Sequence, residues 1–260
     1  MKPASLVFGV FLWALSLCGC SATGPAVAAA AQADRRPLLP GAPPATKAIG
    51  MMYNYPSADP MKPNPPPGFF VRSAGALAAD GDAIEMPPSL PRILYEGELV
   101  IVIGRQARRV APDEARECIL GYTCGMDGSP EALNAQGERD VARSLAGKSA
   151  DGIAPIGPRI VKDVDWKNAK ILLRVNGQVV ETSLLRELVW DPPKLVSEIS
   201  KTVALEPGDV IFSGATRAVP QMQPGDTVEV EITGVGTLKN RVAAPAGDLL
   251  QPKAADRPPR

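Results

Sequence analysis

The chain has 260 residues, of which 45% are hydrophobic and 22% charged, a balance typical of a globular protein with one large domain or two small ones. Its 28 basic residues equal its 28 acidic residues, so the sequence predicts no nucleic-acid partner. Histidine is absent, which excludes imidazole from acid–base catalysis and from metal binding. Any chemistry must use carboxylates, Lys, Arg, Tyr, Ser, Thr, Cys or a metal ion.

The amino-terminal stretch is predicted to be a targeting signal that covers residues 1–20. The apolar run at residues 6–17 is too short to span a bilayer and has the form of a signal-peptide core. The sequence Leu17-Cys18-Gly19-Cys20 is similar to a bacterial lipobox, with Cys20 as the lipidated residue. We expect a periplasmic lipoprotein held at the membrane by this anchor. The alternative is cleavage within the alanine-rich residues 27–33, which would give a soluble periplasmic or secreted protein.

Proline-rich and alanine-rich composition marks the flanks of the predicted folded domain. Residues 21–46 are predicted to be a disordered tether, and residues 244–260 a disordered tail. The folded domain between them is expected to span residues 47–243. Its first elements are short predicted strands near residues 49–53, 69–72 and 83–86.

A buried strand with two carboxylates beside it is the most informative element of the chain. Residues 100–103 are all branched aliphatics, which predicts a strand buried on both faces. Glu96 and Glu98 precede it two residues apart, so their side chains point to the same side. Like charges that close need neutralising, and a divalent cation with oxygen preference is one solution. The alternative is that Glu96 and Glu98 are exposed on an edge strand, each paired with an Arg. The residues alone leave both the metal site and this alternative open.

The next elements return the chain towards this strand. Pro112 and the acids after it predict a helix over residues 112–120, and residues 119–126 then lead to Asp127. Cys118 and Cys124 form a disulfide in an oxidising compartment or remain two isolated buried thiols, and their spacing favours the thiols. Residues 131–144 are polar and favour neither helix nor loop.

The carboxyl-terminal half has clearer signals. Asn176-Gly177 between two apolar runs predicts a β-hairpin, and Asp191-Pro192 predicts a helix start. Two Pro-Gly-Asp turns precede predicted strands at residues 210–212 and 227–232, and a last strand ends near Val242. The fold class is therefore mostly β with a few short helices (α+β), without a regular βαβ alternation.

Several separate segments resemble the fumarylacetoacetate hydrolase family, in the family's order and over about residues 49–242. They are YEGELVIVIGR at 95–105, GYT at 121–123 with Asp127, GKSADGIAPIGP at 147–158, RVNG at 174–177, LEPGDVI at 205–211 and GVGTLKNRV at 234–242. The resemblance implies a twisted, rolled-up mixed β-sheet and a homodimer. It also implies carbon–carbon bond hydrolysis, decarboxylation or keto–enol tautomerisation of a small 2-oxo, β-diketo or dicarboxylic acid, with Mg²⁺, Mn²⁺ or Ca²⁺.

The same resemblance implies roles for individual residues. Glu96, Glu98 and Asp127 match the family's metal ligands, an oxygen-only set that suits such an ion. Lys148 matches the active-site lysine, which holds negative charge or moves a proton, and its alternative is a surface lysine. The remaining matches are to substrate-binding positions: Arg72 (with a surface arginine as the alternative), Ser213, Gly214 and Thr216.

Departures from the family pattern rank these reactions. Ala58 and Met61 stand where hydrolytic members carry the His and Glu that activate water, and residues 128–134 lack an expected Arg and Asp. General-base catalysis contributes about two to four orders of magnitude, so hydrolysis is the reaction most impaired by this loss. Decarboxylation or tautomerisation suits the remaining residues better. A catalytically degenerate periplasmic binding lipoprotein is the alternative, and a structural lipoprotein that binds no metal is a third possibility.

Overall fold

The computed structural model describes residues 38–59, 61–90, 92–217 and 220–244. The predicted signal at 1–20 with Cys20, the tether up to residue 37, and the tail from residue 245 lie outside this part of the chain, and these expectations stay predictions. No helix among the described residues combines the length and apolar character needed to cross a membrane.

Two mixed β-sheets form the domain, as the predicted fold class requires. The larger has the order β2-β1-β10-β5-β6-β7-β3, with β1 Lys47–Met52, β2 Gly68–Ser73, β3 Leu77–Ala79, β5 Ile93–Ile103, β6 Ile119–Pro130, β7 Ala154–Val161 and β10 Val210–Phe212. The smaller has the order β4-β12-β11-β8-β9, with β4 Ala83–Glu85, β8 Lys170–Val175, β9 Gln178–Leu184, β11 Thr227–Ile232 and β12 Gly236–Ala243. Both sheets contain parallel and antiparallel pairs.

The helices in the described part of the chain are short and lie beside the sheets. They are α1 Pro112–Cys118, α2 Val141–Gly147 and α3 Pro192–Ser200, with 3₁₀ turns at Ala74–Ala76 and Leu185–Glu187. The predicted start of α3 is confirmed, because the Asp191 side chain accepts a hydrogen bond from the Lys194 amide at 2.9 Å.

The long antiparallel pair of β5 and β6 is the centre of the larger sheet. The predicted strand at residues 100–103 is confirmed, and all four of its residues are fully buried. The strand also extends back to Ile93, so Glu96 and Glu98 lie within it. Pairing with β6 along its whole length explains this extension, because the neighbouring backbone satisfies the hydrogen bonds of both segments.

Several further predictions can be compared with the structure. The hairpin at Asn176-Gly177 is confirmed, with positive φ angles of 51° and 78° that suit a two-residue turn. Cys118 and Cys124 are both buried free thiols, so the disulfide alternative is wrong. The helix predicted to reach residue 120 ends at Cys118, because Ile119 enters β6 and pairs with Ile103.

The predicted tether is too long at its carboxyl end. Leu39 and Ala42, which are 3% and 9% exposed, pack into the hydrophobic core. The Thr46 amide also donates a hydrogen bond of 2.9 Å to Asp209, a carboxylate buried beside β10. Residues 38–46 therefore belong to the folded domain. Proline and alanine dominate the composition here, and single apolar anchors within it give no periodic signal.

Candidate metal centre and active site

Strand register brings three carboxylates together on one face of the larger sheet. Glu96 and Glu98 point to the same side of β5, and Asp127 of β6 lies directly opposite Glu96. One carboxylate oxygen from each of the three lies within 4.8 Å of the others. Glu98 and Asp127 are 1% and 2% exposed, and β5 is an interior strand. The geometry therefore excludes two exposed glutamates on an edge strand.

Lys148 joins two of these carboxylates from the end of α2. It follows directly after the last residue of the helix, and its Nζ lies 2.7 Å from Glu96 Oε2 and 2.9 Å from Asp127 Oδ2. The residue is only 8% exposed, which excludes a surface lysine. Burial alone would lower the pKa of Lys148, but the Asp127 and Glu96 carboxylates raise it above its ordinary value. Lys148 is therefore held as an ammonium ion.

Arg72 reaches the same cluster from the other end of the sheet. Its guanidinium donates two parallel hydrogen bonds to Asp127, of 2.9 Å and 2.6 Å. β2 and β6 are four strands apart, which in a flat sheet is about 19 Å, too far for an arginine side chain. The sheet must therefore curl strongly, and the carboxylates lie on its concave face.

Aromatic rings enclose the Arg72 guanidinium. Its central carbon lies 5.1 Å from the ring centre of Phe70 and 4.9 Å from that of Phe212. Arg72 is 1% exposed, so the alternative of a surface arginine is excluded. In this structure the planar fork of Arg72 binds Asp127, and its predicted contact with a substrate carboxylate stays a prediction.

The charges of the cluster do not balance. Three carboxylates face two cations, and among the described residues Glu98 accepts a hydrogen bond only from the Gly214 amide, at 2.6 Å. Burial raises the pKa of Glu98 well above its ordinary value, and the Asp127 and Glu96 charges raise it further. Burial would also raise the pKa of Asp127, but Arg72 and Lys148 hold it below its ordinary value. The surplus of negative charge and the oxygen-only donor set fit a divalent cation.

The loop after β10 closes the site, but its residues differ in their contacts. The Ser213 hydroxyl is fully buried and has no hydrogen-bond partner among the described residues. Gly214 has a φ of +95° that favours glycine, and its amide contacts Glu98. Thr216 donates its hydroxyl proton to the Glu181 carboxylate. In this structure Gly214 and Thr216 thus contact protein carboxylates, and their predicted binding of a substrate stays a prediction.

A cavity of about 370 Å³ opens onto Glu96 and this loop. Its lining includes Tyr55, Ala58, Glu96, Arg139, Thr216 and Arg217. Ala58 faces the cavity where the resemblance places a histidine, whereas Met61 is 87% exposed and does not line it.

Sequence reasoning missed polar residues at this cavity. Among them are Tyr55, Arg139 and Arg217 on loops of its wall, and Glu181 on β9, which contacts the lining residue Thr216. Glu181 could have been noticed as an acid inside a hairpin strand, where acids are disfavoured. The other three give no signal in the residue pattern.

Gly50 provides the space that Arg72 needs to cross β1. A methyl group at Gly50 would lie 2.3 Å from Phe70 Cζ and 2.9 Å from the Arg72 guanidinium. We expect Gly50→Ala to lower the free energy of unfolding by about 2 kcal/mol and to weaken Mn²⁺ binding, because overpacking displaces Phe70 and Arg72. Urea unfolding and calorimetry measure the two effects. Gly68→Ala on β2 is the matched control, since its nearest neighbour lies 3.9 Å away. Equal stability of the two variants would contradict the steric argument.

Known proteins are similar to this chain in both sequence and fold. The family model for the carboxyl-terminal domain of fumarylacetoacetate hydrolase matches residues 47–243. The structure is similar to a 5-carboxymethyl-2-hydroxymuconate delta-isomerase from Mycobacterium smegmatis, at 35% identity and a TM-score of 0.70, covering 79% of this chain and 82% of that one. It is also similar to a fumarylpyruvate hydrolase from Pseudomonas aeruginosa in complex with Mn²⁺ and pyruvate, at 28% identity and a TM-score of 0.68, covering 79% and 94%.

A curated relative extends the range of reactions. A 4-hydroxyphenylacetate degradation bifunctional isomerase/decarboxylase from Escherichia coli is 32% identical over 212 residues, which is 80% of this chain but 49% of that protein. The family model matches more than half of the chain, and this relative is more than 30% identical over 80% of it. The chain therefore belongs to the fumarylacetoacetate hydrolase family.

Proposed function

We propose that the protein is a divalent-metal-dependent enzyme that decarboxylates or tautomerises a small 2-oxo or β-diketo acid. The observation that carries the proposal is the buried cluster of three carboxylates, which opens through Glu96 onto a cavity and is contacted by a buried lysine. A cluster with surplus negative charge destabilises a fold, so its presence is better explained by a ligand than by stability.

Glu96, Glu98 and Asp127 would hold the ion. Mg²⁺, Mn²⁺ and Ca²⁺ all accept such oxygen donors, and the similar hydrolase from Pseudomonas aeruginosa contains Mn²⁺. When bound, the ion supplies Lewis-acid stabilisation of negative charge on a substrate oxygen.

The two cations of the cluster have different roles in the proposal. Arg72 keeps Asp127 ionised and oriented through its two parallel hydrogen bonds. Lys148 is held as an ammonium ion beside Glu96, where it stabilises negative charge that develops on a substrate oxygen and can deliver a proton to it.

The cavity favours these reactions over hydrolysis. Attack by water needs a general base, and Ala58 offers none at the cavity wall. Among the described lining residues, the carboxylates are Glu96, which is paired with Lys148, and Glu131, which is paired with Arg92. The isomerase and the isomerase/decarboxylase among the similar proteins have such activities. The same absence of a base also favours a second candidate, a catalytically inactive protein that binds the same acids.

Two arginines support a substrate with a second anionic group. Arg139 and Arg217 line the same cavity as Glu96, and no ion pair joins either side chain to another described residue. Arg217 does exert a favourable charge interaction on Glu181. A carboxylate at the far end of the substrate would form an ion pair with these planar cations. We therefore include small dicarboxylic 2-oxo acids in the proposed substrate class.

Product formation tests the proposal. The full chain, loaded with Mn²⁺ or Mg²⁺, would be assayed against oxaloacetate for decarboxylation and tautomerisation and against acylpyruvates for cleavage. We expect metal-dependent turnover of oxaloacetate that exceeds acylpyruvate cleavage. Metal and pyruvate binding without turnover would favour the inactive binding protein, and cleavage of acylpyruvates as the faster reaction would contradict the preference argued above.

A further inference from the structure

A buried carboxylate outside the metal cluster contacts the wall of the cavity. Glu181 lies on β9, is 6% exposed, and accepts a hydrogen bond from the Thr216 hydroxyl. Among the described residues this is the only hydrogen bond to its carboxylate, and no ion pair joins it. Thr216 itself lines the cavity together with Glu96. Glu181 therefore acts on the cavity through Thr216.

The contact constrains what Thr216 offers to a ligand. A hydroxyl has one proton to donate and two lone pairs that accept. An ionised Glu181 can only accept, so it takes the proton of Thr216 and leaves lone pairs facing the cavity. A protonated Glu181 can donate to the Thr216 oxygen instead, and the Thr216 proton is then free to bind a ligand. Only the second arrangement suits a substrate carboxylate.

We propose that Glu181 is a positioning residue whose protonation lets Thr216 donate a hydrogen bond to a substrate carboxylate. The inference rests on the proposed function, because it assigns the cavity to a carboxylic acid. It adds a specificity-determining pair, Glu181 and Thr216, that lies apart from the three metal-binding carboxylates and from Lys148.

Burial of Glu181 favours its protonated form. Burial raises the pKa of Glu181; the Thr216 hydrogen bond and Arg217 lower it, Glu96 raises it, and the net shift is upward. The Tyr55 phenol also faces this region, and burial raises its pKa too, so it stays neutral. Glu181 is protonated below its raised pKa and ionised above it. Binding of a carboxylate through Thr216 must therefore weaken as the pH rises through the pKa of Glu181.

Calorimetric binding of pyruvate at saturating Mn²⁺ measures this effect. Pyruvate is a 2-oxo acid that stays ionised between about pH 5 and about pH 8. In Glu181→Gln the side-chain NH₂ can donate to Thr216 at every pH, so the arrangement that suits a carboxylate stays available independently of pH. We expect the ratio of the parent Kd to the Glu181→Gln Kd to rise about tenfold or more across this range, the worth of one hydrogen bond to a charged group. Both proteins carry the same metal-binding carboxylates, so taking the ratio of their Kd values removes the pH dependence of metal binding.

Control variants separate the inference from simpler explanations. The ratio should become flat when both proteins also carry Thr216→Val, and Glu117→Gln, an exposed carboxylate paired with Arg105, should behave like the parent. A ratio that is flat in the parent background, or that still rises in the Thr216→Val background, overturns the inference.

Infrared difference spectra of parent minus Glu181→Gln give a readout without any ligand. We expect a protonated-carboxyl band that shifts in Thr216→Val, and its absence at all pH values also overturns the inference. A Glu181 band without pyruvate binding would instead count against the proposed function.

Discussion

Replacing Glu98 with Gln is expected to abolish metal binding and to lower turnover about 1000-fold, because the ion's stabilisation of charge on the substrate oxygen is worth several kcal/mol. The side chain is 1% exposed, and within the described part of the chain it accepts one hydrogen bond, from the Gly214 amide. A glutamine oxygen can accept the same bond, so the fold should be kept. Without metal, the variant should be more stable than the parent by about 1 kcal/mol, since a buried carboxylate with no bonded cation is removed.

The prediction is specific because Glu98→Gln should weaken metal binding and turnover while it raises the stability of the metal-free chain. Calorimetry with Mn²⁺ should give no heat of binding, product formation should fall, and urea unfolding of the metal-free chain should shift to higher urea. Glu117→Gln is the matched control, because it makes the same chemical change at an exposed ion pair. Unchanged Mn²⁺ affinity in Glu98→Gln would show that the cluster does not bind the ion, and the proposed function would then be wrong.

Local pattern predicted the buried strand and the common side of Glu96 and Glu98 but could not predict what surrounds them. The alternation of Glu96 and Glu98 is a property of the strand itself, so their common side followed from the sequence. Placing Asp127 opposite Glu96 needs the register of two strands, which the sequence alone does not specify and which only the family resemblance suggested.

Residues that meet through curvature were the hardest to assign. Arg72 lies four strands from Asp127, and only a strongly curled sheet joins them. Nothing in the sequence near Arg72 distinguishes it from a surface arginine, since the enclosing Phe212 is distant in the chain. The Glu181 and Thr216 pair is similar, because a loop and a hairpin strand meet only in the folded protein.

Arg72→Met is expected to be the most destabilising single change at the site, lowering the free energy of unfolding of the metal-free chain by about 3–5 kcal/mol. The guanidinium is the bidentate partner of Asp127, which is 2% exposed, and without it that carboxylate is left buried with Lys148 alone. Methionine can occupy the space between Phe70 and Phe212, so the loss should reflect charge more than a cavity. Urea unfolding measures it.

Companion variants separate charge from packing in this prediction. Arg105→Met, which breaks an exposed ion pair with Glu117, should cost less than about 1 kcal/mol. Arg72→Met combined with Asp127→Asn should recover most of the loss, because no unpaired carboxylate remains buried. Saturating Mn²⁺ should also reduce the loss in Arg72→Met, since the ion supplies the positive charge that Asp127 has lost. If Arg72→Met and Arg105→Met cost the same, Asp127 does not depend on Arg72, and its ionisation must be maintained by Lys148 alone.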